Sequence, residues 1–492
     1  MKKIVALVLA AILVLGCCSF ATAEVPEGYP EIIEGLDFGG RTVYIYDWWS
    51  SGERSKEPTP EEELTYAYRD WLEETYNVKI VEKALSDWAG NPAELSNRVQ
   101  NADDSELCII AVAGDFAGAA FKNNLYMPWT IDLSAAKWNK SVKDFATKNG
   151  QVYGVNVGKN EPRNVIYFDV PVLEAIGITA DDMYDLQANK EWTWDKMVEI
   201  MTKVQRDTDN DGENDVFGIT GSNDDLLMGL IFSNDGSIFD TDENGKLFVS
   251  AGSDNTLEAI AERAEILNNF AAPQPEGSNW DWFKEFWKTG KTAFYAGQTW
   301  QGLNDGNEMT GMEDEYGILM FPMGPRAENY RAYVNNNVYG IPNVYDEATS
   351  LMIQQIYDLY TNDTPGVNAE EDESWVGNKL NFTDERAIYE TYAMMREDDV
   401  SAANKVFLLG GINQILGEQV KWMWNYVYNK TPAESIETAK HVWDVMCGVF
   451  NGDIDESAID AAIQAQDEAD AAEAEAAAEA AAAEAEAEGA GE

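Results

Sequence analysis

The alternation of apolar and polar positions predicts a succession of strands and helices in the first part of the chain. The strand "RTVYIYDWW", Arg41 to Trp49, precedes an amphipathic helix from Pro60 to Asn77. A strand from Val78 to Leu85 and a helix near Asn91 to Asn101 lead to a continuous apolar run at Leu107 to Ala113. Repeated β-α-β units of this kind are typical of a parallel sheet covered on both faces. Ligands of such sheets bind beyond the carboxyl ends of the strands.

Length and charge narrow the class of protein. The chain has 492 residues, more than one hydrophobic core usually organises, so at least two lobes or domains are expected. It carries 88 acidic and 34 basic residues, a formal net charge of -54 at pH 7. This field repels phosphate backbones and anionic lipid surfaces, which excludes nucleic acid as a partner. Calcium and uncharged polar molecules are more suitable ligands for a protein with this negative charge.

Residues 1–23 have the pattern of a secretory signal peptide. Two lysines precede an apolar run from Ile4 to Gly16, and "ATA" at residues 21–23 is a small-residue cleavage pattern. The stretch "LVLGC" also fits a lipobox, in which the thiol of Cys17 is lipidated before cleavage in front of it. The sequence leaves both processing routes open. Either one places the protein outside the cytoplasm, as a secreted, periplasmic or lipid-anchored protein on the outer face of the cell membrane.

The other end of the chain, residues 453–492, is rich in Ala and Glu and contains no Lys or Arg. Alanine favours a helix, but glutamates spaced by four residues repel each other, and no large apolar residue is expected to dock. We therefore expect a solvated, fraying acidic tail. An arm that binds a partner is the alternative.

Five sequence blocks occur in the order typical of one protein family. They are "GQVYGVNVGKNEPRNVIYFDVPVLEAIGI", "EWTWDKMVEIMTKVQRDTDNDGENDVFGI", "FWKTGKTAFYAGQTWQG", "EYGILMFPMGP" and "NKTPAESIETAKHVW". From about Arg41 to about Phe450 the chain thus resembles the extracellular solute-binding proteins of bacterial ABC importers. The carbohydrate-binding subgroup that includes maltose-binding proteins is the most similar. The resemblance implies the type II periplasmic-binding-protein fold, with two α/β lobes, a hinge and an interlobe cleft.

The same resemblance implies a division of the chain. Residues 38–155 and 333–376 would form the N-lobe, and residues 156–332 and 377–452 the C-lobe. The segment from about residue 377 to 450 would be helical and would pack mainly on the C-lobe.

A cleft for a neutral sugar needs aromatic platforms and planar hydrogen-bonding groups. The architecture and the family pattern imply eight candidate ligand-binding residues: Asp47, Trp48, Trp49, Asp115, Asn223, Asp224, Trp300 and Trp422. Trp300 ends a strand in the block where the family commonly places a sugar-stacking aromatic. For the loop aspartates the alternative is a turn or a helix cap, and for Trp422 it is core packing. Val112 stands where maltose-binding relatives carry an aromatic, which weighs against maltose itself.

The stretch "DTDNDGEND", residues 207–215, matches positions 1, 3, 5, 6 and 9 of an EF-hand-type loop. The candidate calcium ligands are the carboxylates of Asp207, Asp209, Asp211 and Asp215 and the carbonyl of Glu213. Gly218 replaces the bidentate acid at the twelfth position, so calcium would bind weakly. The alternative is an Asp-rich turn between a helix and a strand. The ion, if bound, would be structural, and no cofactor is required.

These observations predict an extracytoplasmic substrate-binding protein of an ABC transporter. It would be a monomer that captures a sugar or oligosaccharide and delivers it to the membrane subunits of a permease. A secreted glycosidase is the rival, because any two carboxylates about 5 to 10 Å apart would meet its needs. A binder of a non-sugar solute or of a sensor ligand is the third alternative. The only histidine, His441, leaves no base for a Ser-His-Asp mechanism, and we expect no enzymatic activity.

Overall fold

The computed structural model of this chain describes residues 25–148, 150–242, 245–302, 309, 311–367, 385–409 and 431–489. Most strands of these residues lie in two four-stranded sheets. The elements in chain order are β1 (Arg41–Asp47), α1 (Pro60–Thr75), β2 (Val78–Ala84), α2 (Asn91–Gln100), β3 (Leu107–Val112), α3 (Gly114–Lys122), α4 (Lys140–Phe145), β4 (Thr147–Lys148), β5 (Gln151–Val152), β6 (Asn164–Asp169), α5 (Val170–Glu174), α6 (Ala180–Ala188), α7 (Trp194–Val204), β7 (Phe217–Gly221), α8 (Asn223–Ser233), β8 (Phe239–Thr241), β9 (Leu247–Val249), α9 (Asp254–Asn269), α10 (Phe283–Trp287), β10 (Thr292–Gln298), β11 (Tyr316–Leu319), β12 (Ala332–Val334), β13 (Val338–Gly340), α11 (Glu347–Tyr360), α12 (Ala393–Met395), β14 (Ser401–Ala403), α13 (Pro432–Phe450) and α14 (Ser457–Gly489). A π-helical turn at Ala387–Tyr392 and 3-10 turns at Thr299–Gly302 and Lys405–Leu409 complete this set.

The first sheet has the strand order β13-β3-β1-β2 and is the base of the first lobe. Strands β1, β2 and β3 run parallel, as the β-α-β pattern predicts, with Val43 opposite both Ile80 and Leu107. Strand β13 runs antiparallel to β3. Helix α1 begins with a capping box, in which Thr59 and Glu62 each accept from the other's backbone N–H.

The second sheet has the order β11-β6-β10-β7 and is the base of the second lobe. Strands β7 and β10 are parallel, while β6 is antiparallel to β10 and to β11. Both sheets are therefore mixed, where the sequence predicted parallel ones, because β6 and β13 are entered from the opposite lobe and not through a helical crossover. The predicted two-lobe α/β fold is confirmed.

Alternation along β3 divides the interior of the first lobe between two apolar clusters. Ile109 and Ala111 face a cluster with Leu72 of α1, while Cys108 and Ile110 face the cluster that continues into the second lobe. Both faces of β3 are buried, so this strand lies between the core cluster of the first lobe and the cluster that continues into the second lobe. The Cys108 thiol is buried and is not in a disulfide.

Two chain segments cross between the lobes and pair with each other. Val155 pairs with Tyr339 and Pro162 with Val334, both antiparallel. Between these two bridges, the Asn335 backbone N–H donates to the Glu161 carbonyl at 3.1 Å. A third segment joins them, because β14 pairs in parallel with β12. This crossing, residues 155–163 with 333–339, is the hinge of the molecule.

The carboxyl-terminal part of the chain contacts both lobes. The 3-10 turn Lys405–Leu409 packs on α3 of the first lobe, and Glu456 pairs with Lys122 at the end of that helix. On the second lobe, the side-chain amide of Asn451 donates to the Leu247 carbonyl at 2.9 Å. The expected packing on the C-lobe is thus accompanied by contacts with the first lobe, which come from a turn distant in sequence from α3.

Helix α14 corrects the prediction of a fraying tail in its first turns. Ala462 is buried and Ile459 packs against the core, so small and branched apolar residues do dock there. Within the residues that the structure describes, no helix is both long and apolar enough to cross a bilayer.

We expect Gly118→Ala to destabilise the protein, because α3 approaches the 3-10 turn closely. A Cβ at Gly118 would lie 2.2 Å from the Phe407 carbonyl oxygen and 2.4 Å from that of Leu408. The overpacking should lower the free energy of unfolding by about 1 to 3 kcal/mol, despite the better helix propensity of alanine. Urea unfolding measures the change. The control is Ala119→Gly, at the adjacent exposed position, which measures the effect of helix propensity alone. A Gly118→Ala variant as stable as the parent would contradict the close packing of α3 on the 3-10 turn.

Candidate functional site

The site lies where the hinge ends of the two sheets meet. Strands β1, β2 and β3 end at the edge of the first sheet where β13 begins, and β7 and β10 end beside the start of β6. Between the edges lies the buried hydroxyl of Tyr333, whose pKa is raised by burial and by Asp225, Asp115 and Asp224, while Arg163 lowers it. Carboxylates of both lobes therefore act electrostatically on one buried group at the hinge.

Three predicted residues follow β1 on the first wall. Asp47 is fully buried, and its Oδ1 accepts from the backbone N–H groups of Trp49 (3.0 Å) and Ser50 (2.8 Å). These hydrogen bonds are those of the turn interpretation, in which the Asp47 carboxylate holds its own loop. Trp48 is half-buried, whereas Trp49 is 53% exposed, and their rings meet edge-to-face at 4.7 Å. Trp49 thus offers a free aromatic face at this edge.

A further tryptophan at this edge was missed by the sequence analysis. Trp88 follows β2, is 44% exposed and lies 4.7 Å from the ring of Phe116, the neighbour of Asp115. A signal was present, because Trp88 lies in the loop after β2, as Trp48 and Trp49 lie in the loop after β1. The first wall therefore presents two exposed indoles.

Asp115 connects the first wall to the hinge. It lies at the start of α3, and its Oδ1 accepts a 2.5 Å hydrogen bond from the side-chain amide of Asn335 in the crossing. Arg163 donates to the Asn335 carbonyl at 3.2 Å, and its buried Nε has no hydrogen-bond partner among the described residues. Gly114 permits this contact, since a Cβ there would lie 2.2 Å from the Asn335 Oδ1. The position of Asp115 is thus tied to the return segment of the hinge.

Trp300 of the second wall is positioned by a chain of hydrogen bonds. Its indole N–H donates to the side-chain oxygen of Gln298 at 2.7 Å, and the amide of Gln298 donates to Asp225 at 2.9 Å. Asp225 also accepts from Asn164 at the start of β6. Trp300 remains 37% exposed. The sequence indicated Trp300 but not the buried groups that hold its ring.

Asn223 and Asp224 are the first residues of α8 and are exposed at the same edge. Although Asp224 still meets solvent, desolvation by the surrounding protein raises its pKa to about 6, and the buried Arg263 opposes this. Arg263 also donates to the Asn223 carbonyl at 3.3 Å. A pocket of about 230 Å³, lined by Asn223, Gln274 and Trp282 among others, adjoins this turn. Trp422 and Cys17 lie outside the described residues.

The Asp-rich loop lies away from the hinge, before β7. Asp207, Asp209 and Asp215 each place one carboxylate oxygen within 4.8 Å of the others. The other two predicted ligands are arranged differently, since the Asp211 carboxylate accepts from the Glu213 backbone N–H at 2.9 Å. Backbone N–H groups, that of Gly212 first, lower the pKa of Asp207 and favour its ionised form. The loop thus brings together three of the five predicted groups.

Together, exposed indoles, carboxylates and side-chain amides from both lobes lie near the crossing segments. These groups are of the kind that stack on and hydrogen-bond to neutral polyhydroxyl molecules. The sequence profile of bacterial extracellular solute-binding proteins matches residues 67–350. The chain belongs to this family. The family assignment confirms the predicted resemblance and implies an extracytoplasmic location. No curated protein matches the sequence.

Solved structures of similar fold support the assignment of the architecture. M. tuberculosis UspC has a TM-score of 0.56 at 13% identity, covering 82% of this chain and 100% of its own. The sugar-binding protein MalE from Xanthomonas citri has a TM-score of 0.55 at 13% identity, covering 83% of this chain and 97% of its own. A cyclo/maltodextrin-binding protein has a TM-score of 0.53 at 12% identity, covering 84% and 97%. At these identities the likeness shows a shared fold.

The buried carboxyl of Asp225 should make stability depend on pH. Burial raises its pKa to about 6, against the hydrogen bonds from Gln298 and Ser222, whereas an unfolded aspartate titrates near pH ~4. The folded state therefore binds the proton more tightly, and the stability from this group is full below pH ~4 and lost as the pH rises through ~6. The free energy of unfolding of Asp225→Asn, relative to that of the parent, should therefore be about 1 to 3 kcal/mol higher at pH 8 than at pH 4.

Urea unfolding of Asp225→Asn at the two pH values measures this difference. Asp460→Asn, on the exposed face of α14, is the control and should show none. An Asp225→Asn difference that is the same at both pH values would show that the carboxyl does not titrate in this range.

Proposed function

We propose that this protein captures a sugar or oligosaccharide in the interlobe cleft and delivers it unchanged to the membrane permease of an ABC transporter. The observation that carries the proposal is the grouping of Asp115, Asp224 and Trp300, from two lobes, around the hinge. A ligand that touches both walls gains contacts only when the lobes approach each other, which favours closure.

The chemistry of the walls favours a saccharide within the solute-binding family. Exposed indoles of Trp49, Trp88 and Trp300 match the apolar C–H faces of a sugar ring. The Asp115 and Asp224 carboxylates accept hydrogen bonds from hydroxyl groups, and Asp224 is ionised above pH ~6. The cyclo/maltodextrin-binding protein of similar fold was solved with maltotetraose, which supports a chain of sugar units as the ligand.

A secreted glycosidase is the alternative reaction for the same ligands. Incubation of the purified protein with a panel of mono- and oligosaccharides, followed by mass spectrometry, separates the two functions. A transport protein returns every saccharide intact and remains bound to the preferred one. Cleavage products that accumulate with time would show that the protein is a glycosidase and would contradict the proposed function.

Replacing Trp300 tests the aromatic wall. We expect Trp300→Ala to weaken saccharide binding by about 1 to 3 kcal/mol, because an exposed stacking face is lost while the surrounding core is untouched. Isothermal titration calorimetry with the preferred saccharide measures the affinity. Phe248→Ala removes an aromatic of similar exposure (44%) from β9, which packs on α13, and should bind normally. Unchanged affinity in Trp300→Ala would refute the assigned role.

The Asp-rich loop is proposed to bind calcium weakly and to brace the second lobe without a catalytic role. The three grouped carboxylates of Asp207, Asp209 and Asp215 support this. Millimolar calcium should raise the melting temperature by about 1 to 2 °C through preferential binding to the folded state. Differential scanning fluorimetry with CaCl2 and with a chelator measures the shift, and Asp207→Ala should reduce it. If Asp207→Ala shows a shift of equal size, this loop is not the calcium-binding site.

A further inference from the structure

A buried carboxylate oxygen at the base of the second lobe has no partner. Asp169 ends β6, at the opposite end of the strand from Asn164 and the cleft, and is fully buried. Its Oδ1 accepts from the Val172 backbone N–H at 3.0 Å and so caps α5. Its Oδ2 is buried with no hydrogen bond among the described residues. An oxygen in this state costs free energy unless a proton, a water or a cation compensates it.

A second carboxylate faces the same space. A Cβ built on Gly290, in the turn before β10, would lie 2.1 Å from the Asp314 Oδ2 and 3.9 Å from the Asp169 Oδ2. The two oxygens therefore lie no more than about 6 Å apart, the sum of those distances. Gly290 has φ +64°, a conformation that favours glycine, and the Asp314 Oδ2 lies against it, at the place that a Cβ would take.

The charges at this place are uncompensated within the described residues. The charged group that acts on the Asp169 carboxyl is Asp314, and no described basic group does. Asp314 makes no ion pair with a described residue. The adjacent Lys291 instead acts on Asp215 of the Asp-rich loop. Two carboxylates held close together without a basic partner repel each other, and a bound cation would relieve this repulsion.

We propose that Asp169 and Asp314 bind a hard divalent cation, calcium, over Gly290 at the base of the second lobe. Oxygen ligands at about 2.3 to 2.6 Å suit calcium, with waters and backbone carbonyls completing its coordination. The ion joins the end of β6, the turn before β10 and the segment before β11. It stabilises the sheet and does not touch the cleft, so this inference is independent of the ligand that the cleft binds.

The experiment separates this site from the Asp-rich loop. In an Asp207→Ala/Asp209→Ala background, the full chain is titrated with TbCl3, read by aromatic-sensitised luminescence, and with CaCl2, read by the melting temperature. One terbium-binding site and a calcium-dependent rise in melting temperature should persist in this background. If the double variant shows neither terbium luminescence nor a calcium-dependent rise in melting temperature, the proposal is overturned.

Two variants in the same background test the ligands. Asp314→Asn should weaken terbium and calcium binding at least tenfold, and so should Asp169→Asn, whose amide oxygen can still cap α5. Circular dichroism in the presence of chelator checks that both variants fold. Asp195→Asn, exposed in the first turn of α7, is the matched control and should bind normally. Unchanged affinity in Asp314→Asn overturns the site, and unchanged affinity in Asp169→Asn shows that Asp169 holds a proton instead.

Discussion

The pairing of the two crossing segments is the constraint on which the rest of the structure depends. Asn160 lies at its centre, where its side-chain oxygen accepts from the amides of Asn139 and Asn336. Its own amide donates to Asp398 of the third segment. The three asparagine side chains are buried, so their hydrogen bonds are satisfied only when the segments keep one register. That register places the ends of both sheets, and therefore both walls of the cleft, against each other.

The electrostatics of the cleft follow from this placement. Desolvation acts on Asp224 and Asp225 because the start of α8 is enclosed by the hinge end of the second sheet. Arg163 and Arg263 hold backbone carbonyls and moderate the carboxylates nearby. The cleft can therefore present polar groups at fixed positions in a protein whose net charge is strongly negative. Preorganised polar groups lose little conformational entropy when they bind a ligand.

Local patterns predicted the parts of the fold that local physics determines. The apolar periodicity of residues 41–113 gave three strands and two helices, and the family resemblance gave the two-lobe class. The reversed directions of β6 and β13 could not follow from periodicity, because they depend on how the chain crosses between lobes. The docking of Ile459 and Ala462 was missed for a similar reason, since the surface that receives them comes from distant segments.

The candidate site likewise contains residues that local patterns predict and residues that they do not. Trp300, Asp115 and Asp224 were proposed because they follow strands, and Trp88 could have been proposed by the same rule. The hydrogen bonds of Asp47 to its own loop could not be predicted, since a residue that ends a strand can turn its carboxylate either way. Gln298, Asn335 and Arg163 could not be predicted, because their roles come from contacts between segments more than a hundred residues apart, or from the support of another side chain.

The account rests on two lobes that close on a solute, and a distance across the cleft tests it most directly. Cysteines introduced at the exposed Glu94 of the first lobe and Glu265 of the second can carry spin labels, since Cys108 and Cys447 are buried. In a chain that starts at Glu24, double electron-electron resonance should give a shorter distance with a saturating saccharide than without it. A distance that stays the same while the saccharide binds would contradict the account.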